Sequence, residues 1–401
     1  MTKMTRSQRR VLTTTCMSHS LIHIYELSVP ALLWLIQSEF GTDDLQMGSI
    51  ATAYTLLFGL GALPAGFLVD RLGSKPLLIA CLWGGSLAML GMAVSPSIFW
   101  FAVAAACMGL ALSIYHPAGT ALITHALPLS GRIFALHGMA GNLGVATASI
   151  FAGTLGWLLG WRWAIGLIAV AGVVLGLRAL LLPAPELHEI RARPGRGNWS
   201  AFVLLLVATT FMGMVYRGMT TFLPKFFAVS YAEDAGVGTA LGGALTTAAL
   251  LVGLAGIYVA GRMIDRGTRP ALVFLVGAVF QGPFLLSIGW AGGVAFVPLF
   301  MCVSFFHFFT QPAGNHLVAG FTPPRLRGLG YGIYFLMTFG AGSFGAGLGG
   351  WVSKKMGLHL AFPALAAVLV PSILAMLVLI WIGRRSARPV PGRGEAPEAT
   401  L

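Results

Sequence analysis

Twelve apolar stretches of about twenty residues each run through this sequence, and they constrain its fold more than any other feature. Roughly 20 helical residues, rising ~1.5 Å each, cover the ~30 Å hydrocarbon core of a bilayer. The predicted spans are 12–37, 45–69, 76–95, 97–126, 134–156, 161–182, 200–224, 236–262, 271–290, 293–321, 328–351 and 357–382. Strands of a membrane barrel would alternate polar with apolar residues, whereas these segments stay apolar for several turns. Helix satisfies its own backbone inside lipid, so the expected class is an all-α membrane protein. Composition agrees: 57% of residues are hydrophobic and 9% charged, against about 25% charged in soluble domains. The first stretch is long and lacks a small-residue cleavage site, so it reads as a crossing and not as a cleaved leader.

The formal charge of +13 raises the question of a nucleic-acid partner. Its distribution answers otherwise. With the amino terminus inside, twenty of the 25 basic residues fall on cytoplasmic ends and loops. That asymmetry is the positive-inside pattern, so both termini are expected in the cytoplasm of a bacterial cell, the chain in its inner membrane, and no nucleic acid as partner. Cys16, Cys81, Cys107 and Cys302 sit apart within the spans, without a CxxC, and read as structural thiols.

The polar connector "PAPELHEIRARPGRGNW" (183–199) falls between spans six and seven. It divides the chain into a six-helix bundle at 1–182, a linker at 183–199, a second bundle at 200–383 and a disordered tail at 384–401. The halves repeat each other. "GFLVDRLGSKP" begins at Gly66 and "GRMIDRGTRP" at Gly261, so Gly66 and Gly261, Asp70 and Asp265, and Arg71 and Arg266 are each 195 residues apart. Pro117 and Pro312, and Arg132 and Arg327, share that offset. Spans two, five, eight and eleven also hold 25 of the 53 glycines, a density nearly three times that of the remaining chain. Small residues let helix backbones pack closely without interlocking, as a sliding interface requires.

"GFLVDRLGSKPLL" resembles the loop between helices two and three of the major facilitator superfamily, and "GWRWAIGL" (160–167) its stretch entering helix six. The resemblance implies two pseudo-symmetric bundles of six helices, with spans two, five, eight and eleven between them. It implies, too, a latch at the loop motifs, involving Gly66, Asp70, Arg71 and Arg132 in one half and Gly261, Asp265, Arg266 and Arg327 in the other. Asp70, at the end of span two, can accept backbone N–H bonds or pair with Arg71 or Arg132, and Gly66 permits close helix approach. A capping, positive-inside loop is the plainer reading. "HIYELSVPALLWLIQSEFG" and "YTLLFGLGALPAGFLVDRLG" are most similar to the fosmidomycin-resistance-type branch. "GMAGNLGVATASIFAG" departs from drug/proton antiporters, which carry a Gly-Pro pair in helix five.

Polar stripes mark four spans. His19, His23, Glu26 and Pro30 share one helical face by their spacing, as do Ser113, His116, Thr120 and Thr124; Thr210, Gly213, Arg217 and Thr221; and Ser304, His307, Gln311 and Asn315. A central charge facing lipid costs about 2.5–3.5 kcal/mol on insertion scales, so these stripes are expected to face one another across a polar cavity. The resemblance assigns the same four helices to a substrate pathway. Glu26 is the only one of twelve acids inside a predicted span, and Arg217 the only deep cation. Both are expected near mid-depth, bridging the halves.

Glu26, assisted by His23, is the expected proton-coupling site; a static ion pair is the alternative. His19, His23, His116, Arg217, His307, Gln311 and Asn315 are the expected substrate contacts. His125, His137 and His316 read as structural residues near helix ends, and His188 and His359 as peripheral. His19, His23 and Glu26 also have metal-ligand spacing, so iron or zinc transport stays open, although Arg217 would oppose a divalent cation. No GxxxxGK[ST], HExxH or GxSxG motif is present, and no cofactor is expected. The expected function is secondary active transport, proton-coupled, of a small and anionic organic solute or drug by a monomer. A receptor on the same fold and a membrane-embedded enzyme are the competing classes.

Overall fold

A computed structural model describes residues 4–127, 131–183, 197–323 and 326–386. The side chains of Asp70, Arg132 and Arg327 lie outside the described set, so the latch roles expected of them do too, as does most of the predicted linker. The described residues form helices and turns with no strand.

The first crossing is α1 (Arg6–Ala31) followed, after a 49° bend, by α2 (Leu33–Phe40). Pro30 explains the bend: without an N–H it cannot bond the carbonyl of Glu26, and its ring crowds the preceding turn. The first bundle continues through α3 (Asp44–Leu72), α4 (Ser74–Ala93), α5 (Ile98–Leu112), α6 (Tyr115–Ala126), α7 (Gly131–Leu159) and α8 (Trp161–Leu180). α5 and α6 are one predicted span broken at 113–114, where Pro117 leaves the Ser113 carbonyl without its helical donor. The second bundle comprises α9 (Trp199–Tyr231), α10 (Ala235–Asp265), α11 (Pro270–Ser287), α12 (Phe296–Phe321), α13 (Arg327–Phe335), α14 (Phe344–Met356) and α15 (Leu358–Ser386).

Ten of these segments are long and apolar enough to cross a membrane, and the bent α1–α2 pair makes eleven. The remaining crossing, eleventh in chain order, is the predicted span 328–351. Between α13 and α14 it passes through one turn of π-helix at Leu336–Gly340 and a 3-10 turn at Ala341–Ser343. An even number of crossings returns the chain to the face on which it began, here called the terminal face.

Sequence signals set the helix ends. Asp43 caps α3 by accepting from the Gln46 amide, with Gln46 returning a bond to the Asp43 amide, and Asp234 caps α10, the equivalent helix of the second half. Between the halves, α7 packs on α10 and α3 on α14. Glycines permit that approach on the side away from the termini. A Cβ on Gly153 would strike the Thr239 carbonyl, and one on Gly243 the carbonyl of Ser149; Gly59 likewise meets the backbone of Gly340. At Gly66 and Gly261, toward the terminal face, an added Cβ would meet no described atom within 4 Å. The close helix approach expected at Gly66 is made by no described residue at its Cβ position in this conformation.

Polar bonds reinforce that end. Asp44, at the start of α3, accepts from Gln37 Nε2 (2.8 Å), from Lys225 Nζ on α9 (2.5 Å) and from Ser353 Oγ on α14 (2.5 Å). Asp43 pairs with Lys354 at 2.8 Å. Lys354 holds the Asp43 carboxyl below its ordinary range, and the Gln46 amide adds to this as a helix-cap donor. Leu87, Trp163 and Val174, each more than half exposed, belong to an outer apolar surface suited to lipid.

Candidate functional site

Glu26 and Arg217 meet where the two bundles face each other. Nη2 of Arg217 donates to Oε1 of Glu26, while Nδ1 of His23 lies 3.0 Å from Oε2. Both charged side chains are almost fully enclosed, with 2% and 3% side-chain exposure for Arg217 and Glu26. Each carboxylate oxygen is thus occupied, as burial of an ion requires.

The kink contributes directly. The Glu26 carbonyl, freed by Pro30, accepts from Tyr54 Oη on α3 at 3.1 Å. Backbone and side chain of one residue are therefore fixed by two different helices, which keeps the carboxylate aimed across the interface. Arg217 is flanked by the rings of Tyr216 at 5.2 Å and Phe339 at 5.4 Å, geometry in which aromatic faces stabilise a cation. Its Nε is buried and has no hydrogen-bond partner among the described residues. The guanidinium consequently retains an unused donor, a site that a substrate carboxylate would satisfy.

Beside this pair lies a histidine cluster. His19 stacks on His137 with ring centres 4.2 Å apart, and its Nδ1 lies 2.8 Å from the His137 carbonyl, where it must donate. His116 on α6 meets His19 edge-on at 5.3 Å, and its buried Nε2 has no hydrogen-bond partner among the described residues. Tyr115 Oη lies 3.0 Å from His137 Nε2. One ligand-capable atom from each of His19, His23 and His116 can be chosen so that all lie within 4.8 Å of one another, so these three could hold a transition-metal ion after modest closure. Glu26, the third ligand considered from sequence spacing, is instead bonded to Arg217 and His23.

In the second half, His307 stacks on Tyr216 at 5.3 Å and contacts Gln281 on α11 at 3.3 Å. Gln311 and Asn315 are exposed, one and two turns beyond His307 along α12 toward the terminal face. Gln311 accepts from Asn142 of the first half at 3.3 Å. Among the residues of the sequence motifs, Arg71 lies over the Phe67 ring of its own helix at 4.0 Å, and Asp265 and Arg266 end α10.

Several members were not singled out from sequence. Phe335 and Phe339, on the interrupted eleventh crossing, cover the site: Phe335 stacks on His116 at 5.2 Å, and Phe339 packs against Phe58 at 5.6 Å. They carry no polar signature; Phe339, within the π turn, lies opposite Arg217, and Phe335 just before it covers His116. His137, expected as a structural residue near a helix end, stacks on His19 and bonds Tyr115 because α7 packs along α1.

Comparison with known proteins bears on the fold and the class of activity. The 4-hydroxybenzoate transporter PcaK of Pseudomonas aeruginosa is 26% identical, with 87% of this chain and 86% of that protein covered. The gallate transporter of Pseudomonas putida is 25% identical over 89% of this chain and 87% of its own length. A solved structure of a bacterial homologue of the human lysosomal transporter Spinster superposes with a TM-score of 0.77 at 16% identity, covering 97% of this chain and all of that one. The Major Facilitator Superfamily model matches residues 20–338 and 226–400. With twelve crossings in paired bundles, the chain belongs to the major facilitator superfamily, and it is a multi-pass membrane transporter and not an enzyme.

Proposed function

We propose that this protein carries a small organic anion across the bacterial cytoplasmic membrane by alternating access, coupled to protons, as a monomer with both termini in the cytoplasm. The observation that carries the proposal is the buried Glu26–Arg217 contact between bundles, with an unused Arg217 donor beside it. A substrate carboxylate would compete with Glu26 for the guanidinium. Protonation of Glu26 would release Arg217 to the substrate, and loss of that proton would restore the internal pair. The group is faced by His23 on its own helix, by Tyr54 on α3, by His116 on α6, and by Tyr216 and Arg217 on α9. Two relatives named above are transporters of 4-hydroxybenzoate and gallate, both carboxylates at neutral pH, which supports this substrate class.

His19, His23, His116, His307, Gln311 and Asn315 are the further substrate contacts of this proposal, the last two toward the terminal face. The division at 183–199 and the latch formed by the Asp70 and Asp265 loops belong to it as well. So does the fosmidomycin-resistance-type branch, which rests on the stretches quoted from spans one and two. The test is uptake and efflux of labelled 4-hydroxybenzoate in proteoliposomes under an imposed pH gradient. Glu26→Gln should still bind the anion and exchange it but no longer concentrate it. Concentrative transport with unchanged pH dependence in that variant would remove Glu26 from coupling.

A second reading, favoured by the His19–His23–His116 geometry, makes the cargo a divalent cation. The guanidinium of Arg217 beside the site opposes it. Zn²⁺ uptake by the same proteoliposomes, abolished in His116→Ala, would favour this reading over the anion.

A further inference from the structure

On the terminal face, far from the Glu26–Arg217 contact, four arginines converge on one cavity of about 530 Å³ between α1 and α8. Arg6, Arg9, Arg10 and Arg178 line it together with Thr13, and no carboxylate does so among the described residues. Arg178 is oriented there: its Nε donates to Thr14 Oγ1 at 2.9 Å and its Nη2 to Thr13 Oγ1 at 2.8 Å. Arg9 is tied by its Nε to the Met4 carbonyl at 3.2 Å. The capping box of Thr5 and Gln8 fixes the first turn of α1, so these charges are held on an ordered helix. Four guanidinium groups with no carboxylate among the described residues that line their cavity repel one another, and a multivalent oxyanion would relieve that repulsion through several charge-assisted bonds.

The surface beneath the cavity says what kind of anion. Arg6, Arg10, Thr13 and Met17 follow one another at helical spacing on α1, so they share one face, and Met17 is 49% exposed. Val174 on α8 and Leu181, which caps that helix, flank Arg178 at helical spacing and are 57% and 70% exposed. The basic cradle therefore sits at the edge of an apolar surface directed at lipid, with Arg178 one turn from the end of a crossing. A free inorganic ion has no use for that floor; acyl chains do.

We propose that this cradle is a headgroup site for an anionic phospholipid, its phosphodiester on the arginines and its chains along Met17, Val174 and Leu181. Each basic residue near an anionic lipid surface strengthens attraction on the order of fivefold, so removing two should weaken binding about 25-fold.

The test uses the full-length chain, delipidated in detergent, with phosphatidylglycerol or phosphatidylcholine added and bound lipid counted by native mass spectrometry. Phosphatidylglycerol should be retained preferentially, and Arg10→Gln with Arg178→Gln should lower its apparent affinity about 25-fold. Since Arg178 also joins α8 to α1, Arg6→Gln with Arg9→Gln, exposed and remote from helix packing, provides a second variant with the same expectation. Equal retention of both lipids, or wild-type retention of phosphatidylglycerol by both double variants, would overturn the proposal. Displacement of bound phosphatidylglycerol by inorganic phosphate at equimolar concentration would do so too, since it would show that the apolar floor contributes nothing.

Discussion

Replacing Glu26 by glutamine should destabilise the protein by about 3–5 kcal/mol, because it strands a buried guanidinium. Arg217 is 1% exposed, and its Nε already lacks a hydrogen-bond partner among the described residues. Opposite charges ~4 Å apart at an effective dielectric near 20 attract by roughly 4 kcal/mol, and removing the anion forfeits this without recovering the hydration of the cation. Arg217→Met strands the carboxylate instead, but a carboxylate can be neutralised by a proton whereas a guanidinium cannot, so its cost should be smaller. The double variant removes both charges and should cost about 3 kcal/mol less than the sum of the single changes. Unfolding titrations in mixed detergent micelles, followed by tryptophan fluorescence, measure all three. Additivity within about 0.5 kcal/mol would show that the two side chains do not depend on each other, and would refute both the geometry and the coupling built on it.

Other outcomes follow from the end of the molecule opposite the termini. Lys225→Ala should leave Asp44 with Gln37 and Ser353 alone and shift the protein toward opening at that end, read as faster labelling of a cysteine placed beside Ser353. Gly243→Leu, whose side chain would run into the Ser149 carbonyl, should prevent closure there and abolish transport while leaving the chain folded and inserted; wild-type transport would refute the packing argument. Asp43 titrates below its ordinary range in the folded chain, so its contribution is present in full above the unfolded aspartate value near ~4 and fades as pH falls through the lowered one. Asp43→Asn keeps the helix cap but should flatten stability against pH in that acid window, and an unchanged slope would count against the pair with Lys354.

Much of this arrangement was legible in the residues themselves. A bilayer demands about 20 apolar residues per crossing and a self-satisfied backbone, so length and apolar character alone pointed to twelve crossings and their order. A lone acid and a lone base in otherwise apolar spans had to find each other, since neither tolerates lipid unpaired. The glycine density of four spans likewise marked where backbones meet. What sequence left open depends on the register and rotation of helices distant in the chain. Only the fold seats His137 against His19, lays Phe335 and Phe339 over the site at a π turn, and gives the Glu26 carbonyl its bond from Tyr54. The same holds for the closed end: a small side chain alone does not separate Gly153 from Gly66, yet one touches the opposite bundle and the other has no described atom within 4 Å of its Cβ position. Helices follow from the chain's contest with lipid, residue by residue, whereas the site and its conformation follow from how two packed bundles meet, a balance of contacts that no single segment encodes.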